Sequence, residues 1–192
     1  HFLSYPREQP IHTDIRESYP VDFSEIHGQS FGVRAALIAA AGGHNLLLSG
    51  VAGSGKTMIA KRIPTILPPL RREENIEITK VYSVAGLLPP GQPLLNHRPF
   101  RTPHHTITTA ALVGGSAQGG VVPGELALAS RGVLFLDELP LFSKASIEAL
   151  RQPIEEKQVI ISRLNGTFRY PADCLLVAAM NPCPCGYYPD RN

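Results

Sequence analysis

The chain is 192 residues long, 43% hydrophobic and 18% charged, which suits one compact domain with its own core and argues against both a disordered polar tract and a membrane span. Lys and Arg exceed Asp and Glu by only 18 to 16, so whole-chain charge gives no case for nucleic acid and any basic surface has to be local. Three cysteines, Cys174, Cys183 and Cys185, form an odd set without a secretory leader, which argues against a disulfide scaffold and predicts a reducing, cytoplasmic setting with no membrane partner.

Residues 1–24 hold Pro6, Pro10 and Pro20 among mixed charges with no apolar period; they read as a linker that adds nothing to the core. The opening at His1 and the polar end at Asn192 read as those of a fragment whose one domain is residues 25–192. Ser30 stands where an N-cap is expected, ahead of an Ala-rich helix over 31–41 that stops at Gly42 and Gly43. Residues 45–49 are an apolar run too short for a helix, followed at once by a glycine loop and a helix over 56–67 that ends before Pro68 and Pro69. Ile78, Val81, Tyr82 and Ala85 fall at helical spacing and predict a helix over about 73–86. Residues 87–124 are rich in Gly and Pro and read as an irregular insert, broken by a short helix near 108–113. That much irregular chain in a compact domain usually carries function. A buried strand over 133–136 precedes a helix capped by Ser143 and running to about Glu156. Residues 159–161 and 167–170 flank Asn165 and Gly166 as a hairpin, within about 158–171, and 175–179 is a further buried strand. Apolar strands alternating with helices predict an α/β three-layer sandwich around a mostly parallel central sheet.

The chemistry gathers at three strand ends. Residues 50–57, GVAGSGKT, satisfy the P-loop pattern and lie between a strand and a helix. Glycines let the backbone turn its N–H groups toward a phosphate chain, and the helix that follows adds positive partial charge. The candidate nucleotide contacts are Gly50, Gly53, Ser54, Gly55, Lys56, Thr57 and Met58, with Lys56 on the outer phosphates and the Thr57 hydroxyl on magnesium. Asp137 and Glu138 end an apolar strand at the edge where open parallel sheets bind ligands. The pair resembles a Walker B motif, with Asp137 a magnesium ligand and Glu138 the group that polarises the attacking water. An apolar strand entering a solvated turn also reads this way; the upstream P-loop favours the catalytic reading, and Glu138 favours hydrolysis over storage of ATP. Asn181 follows another apolar strand at the same edge and reads as a sensor of the terminal phosphate, or else as a turn residue before Pro182.

These motifs, with DFSEIHGQ at 22–29, resemble an AAA+ ATPase module. The strings AAGGHNLLLSG at 40–50, RPFRTPHHT at 98–106, PGELALASRGVLFLDELP at 123–140, EALRQPIEE at 148–156 and AAMNPCPCGYYPD at 178–190 narrow the match. They resemble the magnesium-chelatase-like family of bacterial proteins, and within it the competence-associated ComM type, over about residues 21–190. The resemblance implies a P-loop AAA+ core with Ile26, Gly28 and Gln29 flanking adenine. It also implies a cytoplasmic homo-hexamer that holds ATP and magnesium between subunits and drives DNA branch migration during natural transformation. It implies a Lon-like amino-terminal domain, a carboxy-terminal lid and an arginine finger, none within these residues, so that this fragment alone would hydrolyse ATP weakly. Val51 and Ala52 stand where relatives often carry two prolines; phosphate contacts there come from backbone N–H groups, so binding should survive. The magnesium chelatase subunits of the family serve porphyrin metal insertion instead, which is the competing reading. A small-molecule phosphotransferase is a third, against which Asp137, Glu138 and Asn181 argue.

Arg98, Arg101, His104 and His105 cluster in the insert, and Arg163 and Arg169 flank the hairpin turn. Facing a central pore, these residues would neutralise DNA phosphates. The histidines also fit buried hydrogen-bonding groups, subunit contacts or metal ligands, although no carboxylate is near in sequence. Cys183 and Cys185 make half a zinc site, to be completed only in the full-length protein. Cys174 reads as plain core.

Overall fold

A computed structural model of the chain describes residues 19–91, 93–117, 120–163 and 166–182. Its centre is a four-stranded parallel sheet of β1 (Leu46–Ser49), β2 (Phe100–Arg101), β5 (Val133–Leu136) and β8 (Leu175–Met180), ordered β1-β8-β5-β2. Leu46 pairs with Val177, Val133 with Leu175 and Phe100 with Val133. Parallel neighbours need crossover connections, and helices supply them on both faces. The two-residue alternation of strand side chains separates two cores. Val133, Phe135, Val177 and Ala179 face one with Ala36, Ile59 and Ile63; Leu134, Leu136 and Ala178 face the other with Leu112, Leu126 and Leu150. Every residue of β5 is buried, which is why it reads as a continuous apolar run.

Helix α1 (Ser30–Gly42) begins one residue earlier than expected. Ser30 is its first helical residue, and Gln29, in the left-handed region at φ 52°, takes the cap position without a side-chain capping bond. Gly43, at φ 65°, closes the helix by donating its N–H to the Ala39 carbonyl. The expectation of a coreless linker over 1–24 fails at Phe23, which is 8% exposed and belongs to the first core. Phe23–Glu25 is a 3-10 turn capped by Asp22, and the Phe23 N–H donates to Thr65 Oγ1 at 3.1 Å. A single aromatic at the end of a proline-rich stretch has no periodicity to announce its burial.

Helix α2 (Lys56–Arg62) is shorter than expected because Pro64 brings no N–H to the ladder. The chain tightens into a 3-10 turn over Ile63–Ile66 and becomes extended at Leu67. Helix α3 (Arg72–Val84) buries Ile78 and Val81, and its first turn is closed by the Arg71 N–H donating to Glu74 at 2.9 Å.

The insert is more regular than its composition suggests. After β2 come α4 (Thr109–Val113), capped by the Thr108 hydroxyl, the antiparallel pair β3 (Gly114–Ala117) and β4 (Gly120–Pro123), and α5 (Glu125–Leu128). Elements of two to five residues are too short for a period to be read. Glycine at 132 lets β2 close on β5, since a Cβ there would overlap the Pro99 carbonyl. Helix α6 (Lys144–Glu156) starts at Ser143, whose Oγ accepts from the Ser146 N–H at 3.1 Å. The hairpin of β6 (Gln158–Arg163) and β7 (Gly166–Pro171) follows, with Val159 opposite Tyr170 and Ile160 opposite Arg169. Asn165, expected in its turn, lies outside the described residues.

Candidate nucleotide-binding site

The carboxyl ends of β1, β5 and β8 meet at one edge of the sheet, where parallel strands leave room for a ligand. The Gly50 N–H donates to the Met180 carbonyl at 3.3 Å, fastening the loop after β1 to the end of β8. Gly53 and Gly55 are left-handed, at φ 75° and 83°, and a Cβ at Gly53 would meet open space. The loop thus curls without side chains in its hollow. It walls a cavity of about 380 Å³ formed by residues 52–58, with Asp137, Glu138 and Asn181 on the other side.

Lys56 Nζ donates to the Gly50 carbonyl at 2.7 Å, the Val51 carbonyl at 2.8 Å and Asn181 Oδ1 at 3.1 Å. Lys56 and Asn181, 125 positions apart in the chain, are thus joined at the loop. Thr57 Oγ1 donates to Asp137 Oδ2 at 2.9 Å, and the Asp137 Oδ1 accepts the Glu138 N–H at 3.0 Å. Glu138 sits at φ 53° with its side chain 59% exposed. Such a conformation is uncommon for a residue other than glycine and often marks a functional site.

Ile26, Gly28 and Gln29 do not line this cavity. Their segment is tied to α2 instead, by Arg62 Nη2 to Glu25 Oε2 at 2.7 Å and Arg62 Nε to the Asp22 carbonyl at 3.1 Å. Gly28 and Gln29 are both left-handed and turn the chain into α1. Gly50 does not line the cavity, whereas Ala52, not among the candidate contacts, does.

The basic residues separate into two kinds. Arg98, expected to face DNA, is 8% exposed and points into the protein. Its guanidinium donates to the Pro68 carbonyl at 2.6 Å and to the Arg131 carbonyl, and lies 3.5 Å from Glu74. Arg101 is half-buried and grips both oxygens of Glu125 at 2.6 and 2.7 Å; that hydrogen bond chiefly, with the Glu125 charge, raises its pKa against the opposing effect of burial. The Nε and Nη2 edge of the guanidinium is thereby engaged by a carboxylate. Arg98 is thus enclosed, which corrects the expectation that it faces outward. Arg163 and Arg169 are exposed on the hairpin.

The His104 and His105 rings lie against each other at a tilt of 35°, with centres 4.0 Å apart. His104 Nδ1 is 2.9 Å from Thr106 Oγ1, and His105 packs edge-on against Phe142. The carboxylate that sequence distance did not supply comes through the fold: His105 Nδ1 is 4.0 Å from Glu138 Oε2. Among the described residues no three His, Cys, Asp or Glu side chains gather as metal ligands. Cys183 and Cys185 lie outside the described residues. Cys174 packs against the second core, and burial pushes its thiol up to about 12. Among the described residues no helix is long and apolar enough to cross a membrane.

The family model for magnesium chelatase, subunit ChlI, matches residues 22–192. The chain belongs to this family. It is 48% identical to the Escherichia coli (strain K12) protein YifB over 94% of this chain and 35% of that one. It is 45% identical to competence protein ComM of Haemophilus influenzae, over 97% of this chain and 38% of that one. The magnesium-chelatase 38 kDa subunit of Rhodobacter capsulatus is 24% identical, over 92% of this chain and 54% of that one. The chain spans about a third of the length of the first two relatives. Its fold matches a chain of the magnesium chelatase BchI and BchD complex, with a TM-score of 0.65 at 24% identity over 86% of this chain and 56% of that one. It also matches NtrX of Brucella abortus in complex with ADP, with a TM-score of 0.54 at 19% identity over 85% of this chain and 32% of that one. This is the α/β fold of the ChlI-type AAA+ core, with its parallel sheet between two helical layers.

Proposed function

We propose that this chain is the ATP-binding and ATP-hydrolysing module of a DNA-remodelling AAA+ motor. The observation that carries the reading is the convergence of Lys56, Thr57, Asp137 and Asn181 on one glycine-loop cavity. Backbone N–H groups and Lys56 would bind the phosphates. A hydroxyl and a carboxylate 2.9 Å apart beside that loop form an all-oxygen donor set, which suits magnesium, and Thr57 and Asp137 would hold the ion. Bound there, magnesium neutralises charge on the phosphate oxygens. Glu138 orients the attacking water and accepts its proton, and Asn181 holds the terminal phosphate. Ile26, Gly28 and Gln29 would border the adenine.

The module would work as a cytoplasmic ring of six, each site completed by an arginine from the neighbouring subunit. DNA would pass the hairpin carrying Arg163 and Arg169 in the pore. His104 belongs to the same proposed surface, and zinc at Cys183 and Cys185 is reserved for the full-length protein. The identity of 45% to a competence protein, against 24% to a magnesium chelatase subunit, favours DNA branch migration over the alternative role as ATPase partner of a metal-insertion complex. The test is ATP turnover by the full-length protein with single-stranded, duplex and branched DNA. Stimulation by DNA, strongest with branched substrates, is expected; a flat response would direct the reading to the metal-insertion role.

A further inference from the structure

We infer that Arg62 is a positioning residue for the base of the nucleotide: it fastens the segment ahead of α1 to α2, so that residues 26–29 are held beside Met58. The inference rests on the ATP-binding reading above. Helix α2 starts at the phosphate loop, and Met58 in its first turn lines the cavity. One turn further on, the Arg62 side chain joins that wall to the incoming chain. Its Nη1 donates to the Met58 carbonyl at 3.3 Å, its Nε to the Asp22 carbonyl at 3.1 Å and its Nη2 to Glu25 Oε2 at 2.7 Å. The side chain is 17% exposed, and a planar guanidinium with all three nitrogens engaged is fixed in one orientation.

The segment is anchored independently of this clamp. Phe23 is buried in the first core, its N–H donates to Thr65 Oγ1 at 3.1 Å, and that hydroxyl donates to the Arg62 carbonyl at 2.8 Å. Downstream, Gly28 and Gln29 turn the chain into α1, which lies so close to α2 that a Cβ added at Gly32 would meet Ile59 Cδ1 at 2.9 Å. Residues 26–29 are therefore bracketed by two contacts on one helix, Glu25 on Arg62 and Gly32 beside Ile59. The bracket spans the turn of α2 that follows Met58, so a base extending from the phosphate loop over Met58 comes to lie against it. Without the Arg62 donors Phe23 still holds the chain in the core, but Glu25, with its side chain 51% exposed, no longer fixes the near side of the turn. Affinity then falls by the fraction of time the turn is in place.

The experiment measures binding of ATP and of inorganic tripolyphosphate, each with magnesium, to the full-length protein by calorimetry, for Arg62→Met, Arg62→Lys, Glu25→Ala and Lys56→Ala. Methionine keeps the apolar stem without the donors. Arg62→Met should weaken ATP roughly tenfold, the factor for a turn in place about a tenth of the time, and tripolyphosphate less than about twofold. KM for ATP should rise by a similar factor while kcat at saturation changes less than about twofold. Lysine returns one donor and should recover part of the ATP affinity. Glu25→Ala should show the same ATP-only loss to a smaller degree, and it decides the matter if Arg62→Met does not fold. Unchanged ATP affinity in Arg62→Met and Glu25→Ala, an equal loss for ATP and tripolyphosphate, or no recovery with lysine would overturn the inference. Lys56→Ala separates the two failures. If that variant binds both ligands as the parent does, the nucleotide reading itself falls, whereas if it weakens both while Arg62→Met and Glu25→Ala weaken neither, only the role of Arg62 falls.

Discussion

Lys56, Thr57 and the glycines are placed together by covalent spacing within one loop, and Asp137 and Asn181 reach the same cavity because each follows a strand of the central sheet. Lys56 Nζ is shared by the loop carbonyls and Asn181, so Lys56→Ala removes the charge that would meet the outer phosphates. Nucleotide affinity should fall at least about tenfold, roughly 1.4 kcal/mol or more, as measured by titration with a fluorescent nucleotide; melting of the nucleotide-free protein should change little. Cys174 gives a second prediction at this scale. Burial raises its thiol from the ordinary 9.0 to about 12 in the folded chain. Its contribution is therefore complete below pH 9 and declines as pH rises toward 12, because the unfolded thiol ionises first. The slope from this group is at most about 1.4 kcal/mol per pH unit. Denaturant titrations between pH 8 and about pH 11 should show a shallower decline for Cys174→Ala than for the parent chain.

At the scale of elements, the helix over 72–84 could be read from its period and the strand over 133–136 from its continuous apolar run, while α5 is too short to show a period and β2 could not be read because its bonding partner lies far away in sequence. The same holds for Arg98. In the sequence it stands among basic residues of an irregular stretch; in the fold it closes a charged junction where Arg131 contacts Glu77 at 2.9 Å and Asp173 at 2.7 Å. Burial raises the Glu74 carboxyl, but the Arg71 N–H and the Arg98 guanidinium outweigh it and hold the group below its ordinary value of 4.5. That part of the stability is present above this ordinary value and is lost as pH falls through the lowered one. Arg98→Ala leaves Glu74 enclosed without this partner and frees the carbonyls of Pro68, Pro69 and Arg131, at a cost of about 3 kcal/mol. The expected result is a lower melting temperature with unchanged nucleotide affinity. An equally stable variant that has lost DNA affinity would restore Arg98 to the pore.

For the whole molecule, the exposed hairpin is the part that should meet a polyanion. Each phosphate neutralised by an arginine releases counterions, so Arg163→Glu with Arg169→Glu should weaken DNA binding and reduce the slope of log affinity against log salt by roughly two. Fluorescence anisotropy of the full-length protein across a salt series measures both, and an unchanged slope would remove the hairpin from the DNA path. By itself the sequence determined the family, the parallel α/β order and the phosphate loop, because these are written in contiguous residues and in the period of apolar side chains. Only the tertiary structure decided which arginines are free, that Phe23 belongs to the core, and that His105 meets Glu138. Those outcomes depend on chain crossings that bring distant residues within a few ångströms, and local spacing carries no record of them.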